Sequence, residues 1–151
     1  MTRRCARWQS GWRIDGGVAV QQGELHRTGP RITGDIEAGL PSAPAFTARL
    51  GGGRAFDLAG VSIGADGSLR YAGPSRLSFD TALDRRMGDY AVFDLDLSAA
   101  WGAWRVGLGV SNALDSHADT FAFGNPFTVR REVQRTPVRP ARLRLRIERQ
   151  F

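Results

Sequence analysis

Two alternating segments, Tyr90 to Trp101 and Trp104 to Leu114, are separated only by Gly102-Ala103. In the first, Ala91, Phe93, Leu95, Leu97, Ala99 and Trp101 alternate with Asp94, Asp96 and Ser98. In the second, Trp104, Val106, Leu108, Val110 and Leu114 alternate with Arg105, Gly107, Gly109 and Ser111. A period of two puts each set on one face of a strand, and a Gly-X pair suits a two-residue type II′ turn. That turn sets Trp101 opposite Trp104, Ala99 opposite Val106, Leu97 opposite Leu108, Leu95 opposite Val110 and Asp94 opposite Ser111. A slip of one residue would destroy the match.

The same alternation recurs along the chain and predicts about six strands. One runs from Trp12 to Gln22, with Trp12, Ile14, Val18 and Val20 against Arg13, Asp15 and Gln21. Another covers Ala43 to Leu50, followed by a turn at Gly51, Gly52 and Gly53. A third has Val61, Ile63, Ala65, Leu69 and Tyr71 on one parity. A hairpin at Asp66-Gly67 would set Ile63 against Arg70, so this segment is read as one continuous strand. The last strand is Ala141 to Phe151. Leu143, Leu145, Ile147 and Phe151 oppose Arg142, Arg144, Arg146 and Glu148, while Arg149 interrupts the apolar face where it can snorkel to an interface. Residues 1–10 are left unassigned.

Composition excludes several classes of chemistry. All 21 basic residues are arginine, and the net charge is +6. These arginines alternate with apolar residues or sit in loops and form no basic stripe, so nucleic acid is not an expected partner. Cys5 is the only cysteine, which excludes an internal disulfide and a cysteine-based metal site. His26 and His117, the two histidines, lack ligand spacing. Asp94 and Asp96 read as polar filler on a strand face, and without lysine there is no phosphate-binding P-loop. No catalytic, cofactor-binding or metal residues are assigned, and no enzyme activity is expected. In the last loop, Arg130, Arg131, Arg135 and Arg139 could meet anions, but a solvated basic loop is the simpler reading.

No apolar run reaches the roughly 18 residues of a transmembrane helix. Alternating strands fit either a soluble sheet or a membrane barrel. Strand lengths approach the roughly 9–11 residues of a tilted membrane-crossing strand. Tight connections alternate with long ones (28–42, 72–89 and 115–140), as periplasmic turns alternate with external loops in bacterial barrels. With the tight turns periplasmic, Trp12, Trp101, Trp104 and Phe151 fall at one interface. Phe46, Tyr71 and Tyr90 fall near the other, as two aromatic girdles. The expected fold is all-β: an antiparallel transmembrane β-barrel segment, incomplete as a barrel.

The stretch from Tyr90 to Phe151 resembles the C-terminal end of TonB-dependent receptors. The matching segments are AVFDLDLSAAW, WRVGLGVSNALD, TFAFGNPF and TPVRPARLRLRIERQF, with LRYAG (Leu69 to Gly73) similar upstream. The resemblance covers residues 11–151. It implies an outer-membrane receptor of roughly 22 strands with a plugged lumen, importing a ferric siderophore or another scarce nutrient. Its implied partners are outer-membrane lipid, the barrel-assembly machinery and, through a full-length parent, a plug domain and an energy-coupling protein. Leu143, Leu145, Ile147 and Phe151 would form the C-terminal assembly signal. Plug, coupling box and signal peptide are missing here. The chain is therefore expected to be a receptor fragment or a truncated reading frame, inactive in transport alone. The alternative is a small soluble β-sheet module that binds polyanions.

Overall fold

The computed structural model describes residues 4–7, 11–23, 41, 43–78, 86–120 and 136–151. His26, Arg130, Arg131, Arg135 and residues 121–127 of the TFAFGNPF segment lie outside them. The described residues form nine strands: β1 (Arg4–Arg7), β2 (Trp12–Val20), β3 (Phe46–Leu58), β4 (Val61–Ala72), β5 (Ser75–Arg76), β6 (Arg86–Met87), β7 (Tyr90–Trp101), β8 (Trp104–Ser111) and β9 (Arg142–Arg149). Seven make one antiparallel sheet in the order β1-β2-β3-β4-β7-β8-β9, while β5 and β6 pair with each other. The sheet is open, because β1 and β9 do not meet. Among the described residues no helix is long and apolar enough to cross a membrane.

The six expected strands are β2, β3, β4, β7, β8 and β9. β7 and β8 pair as the tight turn requires, with Trp101 opposite Trp104, Ala99 opposite Val106, Leu97 opposite Leu108 and Leu95 opposite Val110. Gly102 has φ of 51°, the positive first position of a type II′ turn. β4 runs unbroken through Asp66-Gly67.

Three expectations need correction. β1 pairs with β2 within the residues left unassigned. The turn expected at Gly51 to Gly53 is strand: β3 continues to Leu58 and turns at Ala59-Gly60, whose φ values of 51° and 82° are those of a type I′ turn. Finally, β8 ends at Ser111, not Leu114. Asn112 takes φ of 49° and its neighbour Ala113 donates its N–H to the Phe93 carbonyl at 2.7 Å, a bulge that breaks the ladder before Asp94 and Ser111 can pair.

The strand ends step obliquely across the sheet. Following the paired residues from Ile14 through Gly52, Gly67, Leu95 and Val110 leads to Leu143. Ile14 lies near the turn-side end of β2, yet Leu143 lies near the loop-side end of β9. A flat stack of strands would not do this; tilted barrel strands with staggered register do.

Candidate functional surface: a two-faced wall

Register carries one parity across all six long strands. Trp12, Ile14, Val18, Val20, Phe46, Leu50, Phe56, Leu58, Leu69, Leu97, Trp101, Trp104, Leu108, Leu143, Leu145 and Ile147 all share it, and each is more than a third exposed. Among the described residues only Met87 and Val92 are buried apolar side chains. Among the described residues the sheet is therefore a single layer with nothing packed over its apolar face. In water such a continuous patch is strongly unfavourable.

The other face is polar, and its central charges include carboxylates matched by arginines across strands. One transverse row reads Arg13, Gly53, Asp66, Asp96, Gly109, Arg144. Two aspartates stand side by side at its centre, and each is met by an arginine reaching over a glycine. Arg13 pairs with Asp66 across Gly53, and Arg144 Nη2 lies 3.2 Å from Asp96 Oδ1 across Gly109. The glycines make this reach feasible. A Cβ at Gly109 would stand 2.7 Å from Asp96 Oδ1 and 3.1 Å from Arg144 Nη2, and one at Gly53 would overlap the Asp66 carboxylate. Gly51 is confined likewise, 2.7 Å from Asp15 Oδ1. Gly51 and Gly53 of the triple glycine that looks like a turn are thus space cleared for carboxylates in mid-strand. Neighbouring pairs are Arg70–Asp94 at 2.8 Å, Arg146–Glu148 at 2.6 Å and Arg105–Glu148 at 3.9 Å. Their partners are all more than a quarter exposed, so each pair contributes under about 1 kcal/mol.

At the loop side the wall is tied by Asn112, only 3% exposed. Its backbone N–H donates to Asp94 Oδ1 at 3.0 Å. Its side-chain amide donates to the carbonyls of Ser116 at 3.2 Å and Arg139 at 2.9 Å, and its Oδ1 accepts the Ser116 N–H at 3.0 Å. Asp115 Oδ1 in turn accepts the Ala141 N–H at 3.1 Å. The NALD segment therefore seats the chain that enters β9. Beside it opens a concavity of about 700 Å³ lined by Arg70, Tyr90, Asp94, Asn112, Arg139 and Arg142.

The aromatic residues singled out in the sequence divide. Trp12, Trp101 and Trp104 stand on the apolar face toward the tight turns. Tyr71 shares that face at the loop side, its ring 6.0 Å from Phe46 and its hydroxyl donating to Asp89 Oδ1 at 3.0 Å. Tyr90 has the opposite parity, paired with Ala72, and lines the polar concavity. Leu143, Leu145 and Ile147 lie on the apolar face of edge strand β9, and Phe151 follows its end. His117 Nε2 lies 3.8 Å from Asp115 Oδ2, and among the described residues no group of three His, Cys, Asp or Glu is placed to hold a metal. Sequence reasoning missed Asn112, whose buried knot joins residues far apart in the chain, and Arg54, hidden by the false turn.

A staggered single-layer sheet with one apolar and one charge-matched face is a section of β-barrel wall. No family model matches the chain, and no curated protein matches it in sequence. Among solved structures it is similar to the ferric-catecholate import receptor Fiu from E. coli K12 in its closed form. The TM-score is 0.72 at 20% identity, over 97% of this chain and 20% of the receptor. The chain thus spans about a fifth of that receptor's length, and the likeness shows the fold: an all-β, open antiparallel sheet similar to part of that structure.

Proposed function

We propose that residues 11–151 are the C-terminal wall strands of an outer-membrane TonB-dependent receptor. The observation that carries this reading is the broad apolar face, uncovered among the described residues along six staggered strands, behind which the central carboxylates of Asp66 and Asp96 are each met by an arginine. Lipid is the medium that face suits, and a hydrated or plug-filled lumen suits the other. The likeness to an import receptor supports a role in uptake. The parent would take up a ferric siderophore or another scarce nutrient with the help of a plug domain and an energy-coupling protein. This section alone encloses no channel and is inactive in transport. A polyanion-binding soluble module is disfavoured, because Arg13, Arg70, Arg105, Arg144 and Arg146 are already matched by carboxylates.

Refolding the purified chain with and without lipid vesicles tests the proposal. β-Structure gained only with lipid or detergent is expected. A monodisperse folded species in detergent-free buffer would overturn it.

A further inference from the structure

In the six long strands two arginines interrupt the apolar face, and their surroundings are alike. Arg54 is paired in register with Trp12, and Arg149 with Trp104. Two residues beyond each along its own strand direction is a phenylalanine, in the sequences Arg54-Ala55-Phe56 and Arg149-Gln150-Phe151. The Arg54 guanidinium carbon lies 5.0 Å from the Trp12 ring centre and 5.3 Å from that of Phe56. For Arg149 the distances to Trp104 and Phe151 are 5.2 and 5.1 Å. Neither guanidinium has a carboxylate within ion-pairing distance among the described residues, although the arginines of the central row do.

Both sites lie toward the tight turns. Arg54 is four residues from the turn-side end of β3 and eight from its loop-side end, and Arg149 is the last residue of β9. Near the membrane interface an arginine costs about 0–1 kcal/mol, against about 2–4 at mid-depth.

We propose that the Arg54 and Arg149 cages are two binding sites for the phosphate of an anionic phospholipid in the leaflet at the tight-turn side. The rings hold each guanidinium against the wall by cation–π attraction and leave N–H groups along its edge for two parallel bonds to phosphate oxygens. A charge on an otherwise apolar, lipid-facing surface needs an anion, and the headgroup phosphate is the anion present at that depth. This inference rests on the apolar face meeting lipid.

Flotation of the 151-residue chain with two kinds of vesicle tests it, one of phosphatidylcholine and one of phosphatidylcholine mixed with phosphatidylglycerol. The chain should float with both and prefer the second. In the Arg54→Gln/Arg149→Gln variant that preference should fall roughly fivefold for each arginine removed, following the attraction of a basic residue near an anionic surface. The Arg49→Gln/Arg142→Gln variant, which loses the same charge from the polar face, should keep most of it. Equal loss in both variants, or loss in neither, overturns the proposal. Abolition of the preference by inorganic phosphate at constant ionic strength would assign the cages to a free anion and overturn the lipid assignment. Failure of the parent chain to float with either vesicle would instead overturn the lipid-face reading beneath it.

Discussion

The side-chain amide of Asn112 donates a 2.9 Å hydrogen bond to the carbonyl of Arg139, so the residue that ends β8 also positions the approach to β9. Two requirements meet at this position: φ of 49°, which asparagine and glycine tolerate, and an amide with both donor and acceptor. Asn112→Ala should lower stability by about 1–3 kcal/mol, the cost of leaving buried polar groups unmatched. Asn112→Gly should recover the backbone component only. Asn112→Asp should be the most damaging, because it loses both donors and sets a carboxylate beside Asp94. Urea unfolding of the chain refolded in detergent measures all three; equal midpoints would show that the knot is not holding the loop.

Gly109 and Gly53 should resist enlargement for a reason other than turn formation. Gly109→Val and Gly53→Val drive a branched side chain into the Asp96–Arg144 and Asp66–Arg13 pairs, and each should cost about 1–3 kcal/mol by overpacking. Gly17→Ala is the control, since a Cβ there meets nothing within 4 Å. The same unfolding measurement applies, with Gly17→Ala expected to match the parent.

The two faces should differ sharply toward charge. Leu95 lies midway along β7 on the apolar parity, while Ser98 lies on the polar parity between Gly64 and Gly107. Leu95→Arg should reduce lipid-dependent folding by about 2–4 kcal/mol, the cost of arginine at mid-depth on a lipid face. Ser98→Arg should fold nearly as well as the parent. Similar tolerance of both would remove the case for a lipid-facing surface.

Among the described residues no strand lies beyond β9, which leaves one row of its main-chain groups for strand addition, with Leu143, Leu145 and Ile147 displayed beside it. We propose that this strand is an assembly signal for the barrel-assembly machinery, and as such it should depend on its terminal aromatic. Phe151→Ala in the proposed full-length parent should lower the amount of folded barrel, seen as the heat-modifiable gel band. Leu114→Ala, which trims an exposed apolar residue in a loop, should not. Equal band intensities would leave Phe151 without a role in assembly.

What the sequence discloses depends on how far apart the causes lie. The β7–β8 hairpin is legible because its turn and all its facing pairs fall within one short stretch. The continuity of β4 is legible because Ile63 and Arg70 cannot share a face. Gly51 to Gly53 mislead because the groups that need their space, Asp15 and Asp66, arrive from β2 and β4. The real turn, Ala59-Gly60, carries an alanine at positive φ that no local preference announces. Losing the second half of β3 also hides Arg54, and with it the first aromatic cage. Parity within β7 already separates Tyr90 from Tyr71's face; ordering the aromatics by height alone obscures that.

Arg13 and Asp66 stand on strands that share no main-chain bond, and so do Asp96 and Arg144. Each pair laces a strand to the next but one, over the back of the strand between. Peeling β9 from β8 therefore also pulls on β7, and freeing β2 from β3 pulls on β4. Mechanically, these strands resemble lapped planks rather than boards joined only at their seams, and part of a load on β9 or β2 passes to the strand beyond its neighbour.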